Sequence, residues 1–209
     1  MALYGSNKLI LRINIFVLNV TNFMKYYLKT FFLLAALFLL TGHTKAQNIM
    51  AAHKINTKSF GNLYQVDDSL YRCEQPTKKG FILLDSINIK TAVNLRQRKT
   101  DNHKIKKTKL ELINVPMNAW TISYNDIIAG MRAIKNAKKP IVIHCKHGAD
   151  RTGCIVAIYR IIYDGWTREE AIKEFRYGGF HYHKKSFPNI LRLLETIDIE
   201  QVKKDLNKA

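Results

Sequence analysis

The chain has 209 residues, 47% of them hydrophobic, enough to bury one core, and its three cysteines, Cys73, Cys145 and Cys154, are too few and odd in number for a disulfide framework. The formal net charge of +18 draws anions to the surface. The basic residues neither gather in one block nor interleave with stacking aromatics, so the expected partner is a phosphorylated protein or small molecule rather than nucleic acid.

From Met24 the chain reads "MKYYLKTFFLLAALFLLTGHTKAQN": two lysines, an uncharged apolar core around residues 31–40, then small residues ending at Ala46. This pattern predicts a secretory signal peptide cleaved after Ala46, hence a periplasmic or secreted protein. Met24 is the expected initiator, because residues 1–23 carry no signal of their own. The apolar core is shorter than the ~20 residues that a bilayer span needs, so no stable membrane span is expected after cleavage. Removal of residues 1–46 takes away Lys8, Arg12, Lys25, Lys29 and Lys45 and no acid, leaving a net charge of about +13.

Residues 47–60 read as a polar linker, and 61–209 as one folded domain. "LYQV" (63–66) and "LYRC" (70–73) predict a short hairpin, and "TKKGFILLDSI" (77–87) a helix after Pro76. "KTAVNLR" (90–96) and "LELINVP" (110–116) predict strands, separated by a charged run (97–108) expected as an exposed loop. Ser123 and Asp126 make a capping box for a helix reaching Ala137. "IVIHC" (141–145) is apolar enough for the centre of a buried sheet. A helix is predicted from Arg151 to Gly165, another over 168–177 after Thr167, and a last one after Pro188. Strands alternating with helices give an α/β fold, a mostly parallel sheet covered on both faces, with the ligand at the carboxyl ends of the strands.

That edge collects "VIHCKHGADRTG", residues 142–153. A strand delivering Cys145 into a loop that opens a helix puts the thiol at the positive end of the helix dipole, where it becomes a thiolate near neutral pH. The amides from Lys146, His147, Gly148, Ala149 and Asp150 to Arg151 are placed to surround an oxyanion, and Gly148 permits the backbone angles such a cradle needs. Arg151 adds a planar fork for two phosphoryl oxygens. The parts describe in-line attack of Cys145 on a phosphate monoester and hydrolysis of the resulting phosphocysteine. Thr152 is expected to hydrogen-bond the thiolate, and His144 to hold loop and cysteine in register.

"HCKHGADRTG" resembles the His-Cys, five residues, Arg-Thr/Ser signature of the cysteine-dependent protein tyrosine and dual-specificity phosphatases. "NLYQVDDSLYRCEQPT", "IKTAVNLR", "INVPMNAW" and "GWTREEAIKEFRYGG" resemble its compact bacterial and atypical dual-specificity branch, so the likeness runs from Asn62 to Ile190. The resemblance implies a three-layer α/β fold and phosphocysteine chemistry, with no metal or other cofactor. It also places the "LYR-small-x-Gln-Pro" segment near the catalytic loop, which makes Cys73 a candidate redox partner of Cys145.

One part is missing. The family takes its leaving-group proton from an aspartate shortly after a strand-ending Ile/Val-Pro, where this chain has Asn118 and Ala119. Asp150 is the favoured substitute, since a carboxyl beside a bound phosphate is expected to hold its proton, and loops of myotubularin-type lipid phosphatases carry Asp at the same place. Asp126 is the alternative. Lys146 and His147 at the rim leave an inositol phosphate or phosphoinositide phosphatase open as a second reading, and the absent acid leaves open a catalytically weak phosphate-binding module. Arg96 is expected either to steer substrate or to form a structural ion pair, and Cys154 to fill the core. His181 and His183 have no cysteine pair or carboxylate at ligand spacing along the chain, so they read as loop packing.

Overall fold

The computed structural model describes residues 23–33 and 51–208, and the chain divides into two units at residue 48. In the first unit, residues 23–33 are helical (α1) and leave large apolar side chains such as Tyr26, Phe31 and Leu33 exposed. The rest of the expected signal peptide, including the Ala46 cleavage site, lies outside the described residues. No described helix is long and apolar enough to cross a membrane.

The second unit is built on a six-stranded sheet in the order β1-β2-β3-β6-β4-β5. Its strands are β1 (His53–Lys54), β2 (Tyr64–Gln65), β3 (Leu70–Cys73), β4 (Thr91–Arg96), β5 (Glu111–Met117) and β6 (Ile141–His144). β3, β6, β4 and β5 run parallel, and the β1 and β2 edge is antiparallel. The fold is therefore the expected α/β sheet between helical layers. β6 sits between β3 and β4 and is buried along its whole length, which explains the continuous apolar run "IVIH".

One face of the sheet is covered by α2 (Lys78–Ser86), whose Phe81 and Leu84 pack with Leu63, Ala92 and Val142. The other carries α3 (Tyr124–Asn136), α4 (Asp150–Ile162), α5 (Arg168–Tyr177), α6 (Pro188–Thr196) and α7 (Ile199–Asn207). These helices bury Ile127, Met131, Ile155, Phe175, Leu194 and Val202 against Leu70, Val93 and Ile143. α4 is the hydrophobic centre of that layer, with Cys154 and Ile155 wholly buried. Its close contact with α5 depends on Gly153, where a Cβ would come within 2.7 Å of the Phe175 ring.

Four expectations need correction. The linker 47–60 contributes β1 and the buried Phe60, because Ile55 N–H bonds the Leu63 carbonyl and extends the hairpin by a strand. The charged run 97–108 is not wholly exposed: Asp101 within it is fully buried. α4 begins at Asp150, so that residue lies in the first helical turn. A further helix, α7, follows α6; Asp198 caps it by accepting from Gln201 N–H.

Candidate active site

The loop from Cys145 to Ala149 joins the carboxyl end of β6 to the first turn of α4. Three consecutive carbonyls along it are taken up from outside. Lys146 O accepts from Gln75 N–H (3.2 Å), His147 O from Asn62 Nδ2 (2.9 Å), and Gly148 O from Arg72 Nη2 (2.8 Å). In a trans peptide the N–H points opposite to the C=O before it. Outward carbonyls at 146, 147 and 148 therefore turn the N–H groups of His147, Gly148 and Ala149 to the other side, into the loop. The N-terminus of α4 adds to these donors. Its cap residue Ala149 makes no side-chain hydrogen bond, whereas Thr77, Ser123, Thr167 and Asp198 each cap their helices.

Gly148 is required twice. Its φ is +67°, and a Cβ there would lie 2.4 Å from the carbonyl group of Cys73. Arg72, 1% exposed, reaches the loop from β3 with its guanidinium stacked 3.6 Å from the Phe180 ring centroid, and burial lowers its pKa to about 10.

Cys145 is buried at the base of this loop. Arg151, in the first turn of α4, donates from Nη1 to Met117 O (3.2 Å) and Leu95 O (3.5 Å), so it spans the ends of β5 and β4. Its Nε is buried without a protein partner, as is the Thr152 hydroxyl. The expected hydrogen bond from Thr152 to Cys145 is not formed; what the structure provides is a buried, unpaired hydroxyl one residue after Arg151.

Below the loop, His144 is fully buried, with Nδ1 3.4 Å from Cys145 O and Nε2 3.4 Å from Asp101 Oδ2. Burial pushes its pKa down to about 4, against the opposing pull of Asp101, so the imidazole is neutral near pH 7. Asp101 also accepts from Gln75 Nε2 (2.8 Å) and pairs with Lys104 (3.4 Å) and Arg96 (3.8 Å). Arg96 additionally bonds Gln75 Oε1, which assigns it to the structural ion pair rather than to substrate steering.

Asp150 is 4% exposed and its partner is His183, in the loop after α5. Oδ1 accepts from His183 N–H (3.0 Å), and Oδ2 lies 2.9 Å from His183 Nδ1. His147 stacks beside this pair, its ring 5.0 Å from that of His183, and burial together with His183 and Lys146 lowers its pKa. His147, Asp150 and His183 each offer a ligand atom, all within 4.8 Å of one another. The carboxylate missing along the chain around His183 thus comes from Asp150 through the fold, and His183 does more than pack a loop.

Asp126 is half-buried and closes its capping box, its Oδ2 accepting from Ser123 N–H and Oγ at 2.8 Å each. Asn118 caps its own turn, accepting from Trp120 N–H (3.1 Å). Lys146 and His147 are exposed at the rim. All three cysteines are free. Cys73 packs in the α2-side cluster and Cys145 in the opposite one, and the candidate redox pair is not joined in this structure. Burial, then the charge of Cys145, raises the Cys73 thiol pKa.

A sequence profile described as the catalytic domain of dual specificity phosphatases matches residues 70–196, which holds the whole of this loop. The chain belongs to that family. Among curated members, the dual specificity protein phosphatase TpbA of Pseudomonas aeruginosa is 31% identical over 121 residues, 57% of this chain and 55% of that protein. The chain thus spans about half the length of that relative. Inositol diphosphatase DSP5 of Arabidopsis thaliana is 24% identical over 157 residues, covering 69% of this chain and 74% of the plant protein. The crystal structure of P. aeruginosa TpbA superposes on this dual specificity phosphatase domain with a TM-score of 0.68 at 24% identity, covering 77% of this chain and 99% of that one.

Proposed function

We propose that this protein hydrolyses phosphate monoesters through a phosphocysteine at Cys145, in the manner of the protein tyrosine and dual-specificity phosphatases. The observation that carries the reading is the set of outward carbonyls at Lys146, His147 and Gly148, which leaves three amides and an uncapped helix end facing one side above a cysteine. The Cys145 thiolate attacks phosphorus, the bond to the leaving oxygen breaks, and Arg151 together with the loop amides holds the equatorial oxygens. Asp150 gives its proton to the leaving oxygen, and the carboxylate so formed is held in place by its contacts with His183. Water then attacks phosphorus and passes a proton to Asp150. The P–S bond breaks, and the Thr152 hydroxyl steadies the departing thiolate.

A second reading has an observation of its own. The relative DSP5 is named an inositol diphosphatase, and in a diphosphate the leaving group is phosphate, a weaker base than a phenolate or alkoxide. Such a substrate needs less protonation, which fits Asn118 where the family's acid stands. Lys146, His147, Lys184 and Lys185, all exposed, would meet its additional anions. Turnover compared across phosphotyrosine peptides, inositol monophosphates and inositol diphosphates separates the readings. The first expects phosphopeptides to give the highest kcat/KM, and a clear preference for inositol diphosphates replaces it with the second.

The domain is further proposed to be exported after cleavage at Ala46. The flanks of the apolar core and the exposed apolar side chains of α1 support this. Sequencing of the exported protein should begin at Gln47; a chain retaining residue 1 overturns the assignment.

A further inference from the structure

We propose that His147, Asp150 and His183 form a binding site for one borderline divalent cation, best matched by Zn2+, and that its occupancy blocks turnover. A tetrahedral Zn2+ with bonds of about 2.0–2.2 Å sets its ligand atoms roughly 3.4 Å apart. His183 Nδ1 and Asp150 Oδ2 stand 2.9 Å apart, and one nitrogen of His147 falls within 4.8 Å of both. The adjustment required is small, and it falls on the two exposed imidazoles rather than on the buried carboxylate. Asp150 Oδ1 is already held by His183 N–H at 3.0 Å, a bond that survives when Oδ2 takes a cation and that fixes the ligand's orientation. The cation takes the place of the direct contact between Nδ1 and Oδ2.

The ligand set also selects among cations. Two imidazoles and one carboxylate suit Zn2+, Cu2+ or Ni2+, whereas Mg2+ and Ca2+ need several oxygens that this site does not offer beside Lys146. His147 and Asp150 belong to the phosphate loop and its helix, and His183 to the loop after α5. A bound ion therefore straps the two loops together and occupies the oxygen of Asp150 that would carry the leaving-group proton. The inhibitory half of the proposal rests on Asp150 as proton donor; the site itself does not.

Zn2+ binding is measured by calorimetry on the Cys145→Ser variant, which lacks the catalytic thiolate; Cys73 and Cys154 are wholly buried. The expected result is one Zn2+ per chain, weakened at least about tenfold by His147→Ala and by His183→Ala, unchanged by His181→Ala, with no comparable binding of Mg2+. Zn2+ binding that persists in the folded His147→Ala, His183→Ala double variant, or that is absent altogether, overturns the site. In the wild type, Zn2+ should suppress hydrolysis of an alkyl phosphate more than that of p-nitrophenyl phosphate, whose leaving group needs little protonation. Equal suppression of both, with histidine-dependent binding intact, upholds the cation site and overturns only the role of Asp150.

Discussion

Asp150 and His144 flank the catalytic loop and play opposite electrostatic parts. Asp150 faces His183 at the front of α4, and if it delivers the proton, Asp150→Asn should lower kcat on an alkyl phosphate by about 10²–10⁴ while p-nitrophenyl phosphate is nearly spared. Equal turnover of both esters by the variant removes Asp150 from the mechanism. His144 is kept neutral by burial, with a folded pKa of about 4 against an unfolded value of about 6.5. Between these two values the unfolded chain binds a proton that the folded chain refuses, so stability is complete above pH 6.5 and falls as pH drops towards 4. The loss is on the order of 3 kcal/mol, and His144→Gln should flatten that slope in denaturant melts run at several pH values. Sequence alone supplied Cys145, Arg151 and Asp150 as a set because their spacing within one loop is local. It could not supply His183 or Asp101. The first meets Asp150 from 33 residues away, and the second is a buried acid inside a run of lysines, where composition argues for solvent.

The strand-ending loops were legible as elements because period and caps are local properties. Ser123 with Asp126 and Thr167 with Glu170 both form the capping boxes their spacing announces. Short elements were not legible. β1 is a two-residue strand defined by its pairing with β2, and α7 follows α6 after only Ile197 and Asp198, too close for a boundary to stand out. What the elements add to function is the orientation of loop carbonyls by β3 and its flanks. Arg72 belongs to a strand whose sequence "LYRC" suggested only a hairpin, yet its guanidinium holds the Gly148 carbonyl. Arg72→Met keeps much of the buried volume and removes that donor. It should weaken competitive inhibition by inorganic phosphate at least about tenfold, the lower bound for a charged hydrogen bond of roughly 1.5–3 kcal/mol. Unaltered phosphate inhibition in a folded variant contradicts the role given to the carbonyl anchors.

Across the whole molecule, the sheet order places β6 between β3 and β4, and the carboxyl ends of these strands and β5 converge on one short loop. β3 holds its outward face through Arg72, β4 and β5 anchor Arg151 through Leu95 and Met117, and β6 delivers Cys145. The antiparallel β1 and β2 edge brings Asn62 and, through it, the carbonyls of His147 and Phe180. A single nucleophile, Cys145, stands at the centre of that convergence. Rapid quenching of the protein with a slow phosphomonoester, followed by peptide mass mapping, reads out that nucleophile. A phosphoryl adduct is expected on the peptide containing Cys145, absent from the Cys145→Ser variant, which should also lose turnover. Continued turnover by that variant, or an adduct on a different residue, would contradict that role for Cys145.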